Sequence, residues 1–183
     1  TLTFEPNSVE SLEHIFETYA GRVAAVVMEP IAIGEPQENF LRKVRELTER
    51  EGTVLIFDET LTGFRLALGG AQEYFGVTPD LACYSKSLGN GYPIAAVMGR
   101  REVMESFSEI LLPDSFRAEP FSLSAAKTTI VEMRSQDVAS HLWEVGRRLR
   151  DGYNVLADEF DIYENTECVG VGPLSSVSFK NTL

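Results

Sequence analysis

Four short apolar runs, residues 23–28, 53–57, 81–84 and 93–98, set the terms on which this chain can fold. Runs of that length are too short for helices and read as strands, and the first, continuous and rich in Val, reads as one buried on both faces. Between the first two, Phe40, Leu41, Val44 and Leu47 recur at helical spacing through residues 38–51 until Gly52 stops the helix. Strand, crossover helix and strand then make a parallel unit. Too few residues separate the third run from the fourth for a parallel return, so the fourth strand should run antiparallel to the third. The fold class expected is α/β, a mainly parallel sheet with flanking helices.

Such a sheet delivers the residues that follow its strands to one rim, where open α/β sheets place their ligands. Glu29 follows the first run and Asp58 the second. Lys86 follows the third, at a bend that continues into Leu88-Gly89-Asn90-Gly91. Elsewhere, Asn7 with Glu10 three places on caps a first helix with apolar positions 9, 12, 15, 16 and 19. Residues 62–78 read as loop with a short helix around 71–75, and residues 101–107 as another short helix. Two long helical patterns, 122–133 and 136–159, lead out of the sheet, the second with Leu142, Val145, Leu149, Tyr153 and Leu156 on one stripe. Residues 167–180, broken by Gly170, Gly172 and Pro173, suggest the first strand of a second unit. The division expected is therefore 1–133 for the sheet domain and 134–183 for a linking helix and the start of a small α+β domain.

At 183 residues and 44% hydrophobic the chain can bury a core. Its net charge of -12 argues against a nucleic-acid surface or an anionic membrane as partner. No run approaches the roughly 20 apolar residues of a membrane helix, and no secretory signal opens the sequence, so a cytoplasmic location is expected. The opening without Met, and the close at Phe179-Lys180-Asn181-Thr182-Leu183, read as those of a segment of a longer chain. Cys83 and Cys168 stand too far apart for a metal pair, and Cys83, inside an apolar run, reads as a buried small hydrophobe.

The chemistry centres on Lys86 and Asp58. A lysine placed straight after a buried strand is partly desolvated, which favours the neutral amine that attacks carbonyls. An aspartate ending a core strand needs a cationic partner, either a basic side chain or a protonated ring nitrogen. A lysine Schiff base plus an acid for the pyridinium nitrogen is the pair that pyridoxal phosphate uses.

Glu29-Pro30, Leu55-Ile56-Phe57-Asp58-Glu59, Thr62-Gly63-Phe64-Arg65, Pro79-Asp80-Leu81, Ser85-Lys86-Ser87-Leu88-Gly89-Asn90-Gly91-Tyr92-Pro93 and Gly99-Arg100 occur in this order. Together they resemble the class III pyridoxal-phosphate aminotransferases, nearest to the glutamate-1-semialdehyde aminomutase branch. The resemblance covers almost the whole chain. It implies part of the large domain of the pyridoxal-phosphate fold type I, pyridoxal 5'-phosphate as cofactor, a small amino or keto substrate, and a homodimer with sites at the interface. Lys86 then matches the lysine that forms the Schiff base, Asp58 the acid for the ring nitrogen, and Thr60 the residue on the ring face, usually Val. Leu61 stands where the aminomutase branch has Met and other members Gln. Glu29 and Glu59 match acidic positions near the site. Ser115 matches a Thr that reaches the cofactor phosphate of the neighbouring subunit, while Arg117 replaces a small residue beside it.

Family members run to more than twice this length, and their upstream half supplies the phosphate loop and the stacking aromatic. Two other readings stay open at this point. One is a non-catalytic remnant that keeps the fold for dimerisation or interaction; the other is a different pyridoxal enzyme, such as a decarboxylase, on the same scaffold. Arg65 is open between a substrate carboxylate and a structural pairing, the latter favoured.

Overall fold

The computed structural model describes residues 1–32, 34–109 and 119–180. Helix α1 (Val9–Thr18) is capped by Ser8, whose hydroxyl accepts from Ser11 N–H at 3.1 Å. Asn7, the expected cap, instead stands at φ +60° and accepts from Gln37 N–H at 3.0 Å. One residue decides between the two because only Ser8 has the extended backbone of a cap.

Strand β1 (Ala25–Met28), helix α2 (Phe40–Arg50) and strand β2 (Val54–Asp58) form the expected unit, with β1 and β2 parallel and Met28 opposite Phe57. The short helix α3 (Ala71–Phe75) precedes β3 (Leu81–Tyr84), which pairs parallel to β2 with Asp58 opposite Cys83. Strand β4 (Ala96–Gly99) runs antiparallel to β3, and the sheet order is β1-β2-β3-β4. Helix α4 (Arg101–Met104) tightens into a 3₁₀ turn at Glu105–Glu109. Two long helices, α5 (Pro120–Gln136) and α6 (Val138–Glu159), precede the hairpin of β5 (Thr166–Val171) and β6 (Leu174–Phe179).

The core lies mainly on the side where α1 and α2 cover the sheet: Leu12, Phe16, Val44, Leu47, Leu55 and Phe57 pack together there. Each such side chain contributes roughly 1.5–3 kcal/mol by leaving water. A second cluster joins Phe64, Tyr84 and Leu88 to Ala126 and Met133 of α5, so that helix belongs to the sheet's own packing rather than leading away from it.

Burial departs from the apolar pattern at two elements. Strand β1 is buried on one face only, for Val26 is enclosed while Val27 is 63% exposed. Helix α6 does not bury its apolar stripe: Val145, Leu149 and Leu156 are 44%, 65% and 53% exposed. It packs through a neighbouring face instead. Gly146 lies so close to Gly172 that an added Cβ would meet the Gly172 carbonyl at 1.9 Å, and Asn154 exchanges two hydrogen bonds with the backbone of Cys168. Backbone approach and polar pairing decide this contact, which an apolar count does not register. No helix among the described residues is long and apolar enough to cross a membrane.

Candidate active site

Parallel pairing brings the carboxyl ends of β1, β2 and β3 to one edge. Glu29 follows Met28 there and is exposed, beside a groove of about 700 Å³ lined in part by Phe4, Pro6, Met28 and Pro30. Asp58 ends β2 and is half-buried; its Oδ1 accepts from Thr60 N–H at 2.9 Å, which folds the chain back at the sheet edge. Thr60 is itself half-buried. Cys83, the sheet partner of Asp58, is also half-buried, and burial first, then the Asp58 charge, pushes its thiol up.

Lys86 opens a one-turn 3₁₀ helix that ends at Leu88. Its φ of +43° lies in the left-handed region, where a residue with a Cβ is strained by about 1–2 kcal/mol. The side chain is exposed, not desolvated as its sequence neighbourhood suggests, because Tyr84 and Leu88 point into the core while Lys86 turns out of it. The amine is therefore open to an incoming carbonyl. Of the residues singled out in the sequence, Glu29, Asp58, Thr60 and Lys86 meet at one edge, and Ser115 and Arg117 lie outside the described residues.

Glu59, next to Asp58, has the opposite fate. It is fully buried and accepts from Thr62 Oγ1 at 2.5 Å, Ala71 N–H at 2.7 Å and Gln72 N–H at 2.9 Å. Gly70 is needed for this approach: it stands at φ +82°, and a Cβ there would meet the Glu59 carboxylate at 2.5 Å. The side chain of Gln72 in turn meets the Tyr84 hydroxyl, which donates to the Gly69 carbonyl at 3.2 Å. Burial and the Glu59 charge push the Tyr84 phenol up to about 12, so it stays a donor throughout the neutral range. The residue after Asp58 and the residue two before Lys86 are thus anchored on the same short segment, Gly69 to Gln72.

Sequence reasoning missed two further pairings. Arg65 donates from Nε to Ser87 Oγ at 3.0 Å, a partner without charge and so invisible to a search for acids. Asp80, 4% exposed before β3, accepts from Arg45 at 2.9 Å, Arg100 at 3.0 Å and Leu55 N–H at 2.8 Å. The signal for Asp80 was present: a carboxylate directly ahead of a buried strand must find partners.

The edge offers an acceptor carboxylate and an accessible primary amine on adjacent strands of an α/β sheet, a donor set suited to a cationic ring nitrogen and an aldehyde. Solved structures with this fold include a transaminase with PLP bound, which superposes with a TM-score of 0.90 at 25% identity, over 99% of this chain and 44% of that one. The FumI protein of Sphingopyxis sp. MTA144, in its PLP internal aldimine form, superposes with a TM-score of 0.90 at 26% identity, over 98% of this chain and 44% of that one. An omega-transaminase from Sphaerobacter thermophilus superposes with a TM-score of 0.86 at 29% identity, over 97% of this chain and 42% of its own.

The family model for class III aminotransferases matches residues 4–182, and the chain belongs to that family. Glutamate-1-semialdehyde 2,1-aminomutase of Alkaliphilus oremlandii is 42% identical over 160 residues, 83% of this chain and 38% of that protein. The aminomutase of Aquifex aeolicus is 36% identical over 177 residues, 93% of this chain and 42% of its own. The chain thus spans about two fifths of the length of these relatives.

Proposed function

We propose that the complete protein is a pyridoxal-phosphate-dependent enzyme that moves an amino group, as an aminotransferase or a 2,1-aminomutase, and that Lys86 is the lysine joined to the cofactor. One observation carries this reading: Asp58 and the exposed Lys86 stand at the carboxyl ends of adjacent strands in a chain of this family. The names of the relatives favour the aminomutase branch.

Bound pyridoxal phosphate supplies an electron sink for a carbanion next to nitrogen. The residues of the chain do the rest. Asp58, its Oδ1 already fixed by Thr60 N–H, holds negative charge at the edge where a protonated ring nitrogen is stabilised. Thr60 would lie against the cofactor ring, and Glu29 would belong to its polar surroundings. Lys86 Nζ would hold the cofactor aldehyde and, as a free amine, would carry a proton between the substrate carbon and the cofactor. Ser115 serves the cofactor phosphate of the neighbouring subunit in a homodimer. Residues 1–133 are part of the large domain and residues 134–183 begin the small one, in a cytoplasmic protein with a small amino or keto substrate.

The test is reductive trapping. The complete protein is mixed with pyridoxal phosphate, reduced with borohydride and digested, and the labelled peptide is identified by mass. The label is expected on Lys86 and is absent from Lys86→Ala. Stoichiometric label on another lysine, or an unchanged yield in Lys86→Ala, contradicts the assignment.

A further inference from the structure

Lys86 is held in its left-handed conformation by the chain on both sides of it. Upstream, the Ser85 hydroxyl donates to the Ile94 carbonyl at 3.0 Å and ties the entry of the turn to the segment that returns into β4. Within the turn, Leu88 N–H donates to the Ser85 carbonyl and Asn90 N–H to the Lys86 carbonyl, both at 3.0 Å. Downstream, Ser87 Oγ accepts from Arg65 Nε at 3.0 Å, and both side chains are half-buried. Arg65 belongs to the stretch that continues from Asp58 and Glu59, and its N–H donates to the Thr62 carbonyl at 3.2 Å. The Arg65–Ser87 bond therefore spans the two arms of the candidate site.

We propose that Arg65 is a positioning residue, which acts through Ser87 to hold the Lys86 turn against the Asp58 arm and so sets the direction in which the lysine leaves the backbone. A strained residue keeps its conformation only where its surroundings over-determine it, and a charged donor on a half-buried hydroxyl is a stronger restraint than a neutral pair. The same bond speaks against Arg65 as the gripper of a substrate carboxylate. Engaging Nε occupies one of the two edges through which a guanidinium makes paired bonds. The catalytic meaning of this restraint rests on Lys86 being the cofactor lysine; the restraint itself does not.

The experiment uses the complete protein with Arg65→Met, Ser87→Ala, Ser87→Thr and the Arg65→Met/Ser87→Ala pair. Amide hydrogen exchange at Leu88 and Asn90 is followed first in cofactor-free protein. Arg65→Met and Ser87→Ala should each speed exchange about tenfold, the factor one charge-assisted hydrogen bond supplies. The pair should be no faster than either, and Ser87→Thr, which keeps the hydroxyl, should restore protection. The rate at which borohydride-trappable pyridoxal phosphate accumulates on Lys86 should fall in the same variants and recover in Ser87→Thr. Unchanged exchange in Arg65→Met, additive effects in the pair, or a raised KM for substrate with an unchanged trapping rate overturns the proposal. Faster exchange in protein whose Lys86 never takes label overturns the cofactor reading instead.

Discussion

The two ends of the four-stranded sheet treat charge in opposite ways. At the amino ends of β2 and β3, Asp80 is buried and both its oxygens are engaged, one by Arg45 and Leu55 N–H, the other by Arg100. At the carboxyl ends, Glu29 and Lys86 are exposed, and Asp58 is half-buried with a bond inside its own turn. The buried acid knits α2, β2, β3 and the end of β4 into one frame. The open groups add little to that frame and are free to meet a ligand. The contrast between Asp58 and Glu59 repeats this lesson within two residues, since the first faces the edge and the second is consumed by Thr62, Ala71 and Gln72. Adjacent acids in the sequence therefore divide into one whose carboxylate is consumed by the fold and one held only within its own turn at the sheet edge.

The sharpest way to break this comparison is at Asp80. Asp80→Ala leaves Arg45 without its buried partner and Leu55 N–H without an acceptor, and should cost about 3–5 kcal/mol by chemical denaturation. The pH dependence follows from the same contacts. Burial pushes the Asp80 carboxyl up, but the hydrogen bonds from Leu55, Arg45 and Arg100 outweigh it, so its native value lies below the ordinary one. A lowered native value gives stability that is present above the unfolded-state value of about 3.9 and is lost as pH falls toward the native value. Acid melts should show that loss in the parent protein and less of it in Asp80→Asn. Arg100 marks the small end of the scale. Its side chain is 60% exposed, so Arg100→Ala should cost far less than Asp80→Ala, and less still in high salt.

Much of this organisation was legible in the sequence because it depends on local rules. The four apolar runs became the four strands, and the short link after Tyr84 became an antiparallel return, since a parallel one has no room to cross over. Asp58 and Lys86 reached one edge because β2 and β3 pair in parallel. Contacts between distant residues were not legible. Trp143 donates to the Leu66 carbonyl 77 residues away at 2.9 Å, and no periodicity marks that pair. The apolar stripe of α6 stays exposed because Gly146, Asn154 and Ala157 give the hairpin a closer approach than Leu149 or Leu156 would. The exposure of Lys86 escaped for a related reason, as one left-handed residue between the half-buried Ser85 and Ser87 turns a side chain outward. Arg65 bonds to the hydroxyl of Ser87, 22 residues away, and not to an acid, a pairing that no charge pattern marks.

The central claim, that one end of the sheet holds the fold and the other holds the cofactor, is tested most directly by thermal melting of Asp58→Asn and Asp80→Asn in the complete protein, with and without pyridoxal phosphate. A ligand that binds only the folded form raises the midpoint by an amount that grows with the logarithm of its concentration over its Kd. Asp58→Asn should melt within about 2 °C of the parent without cofactor and lose most of the cofactor-induced rise, whereas Asp80→Asn should melt lower by several degrees and keep that rise. A large drop in Asp58→Asn without cofactor, or a full cofactor-induced rise in that variant, would contradict the division of labour.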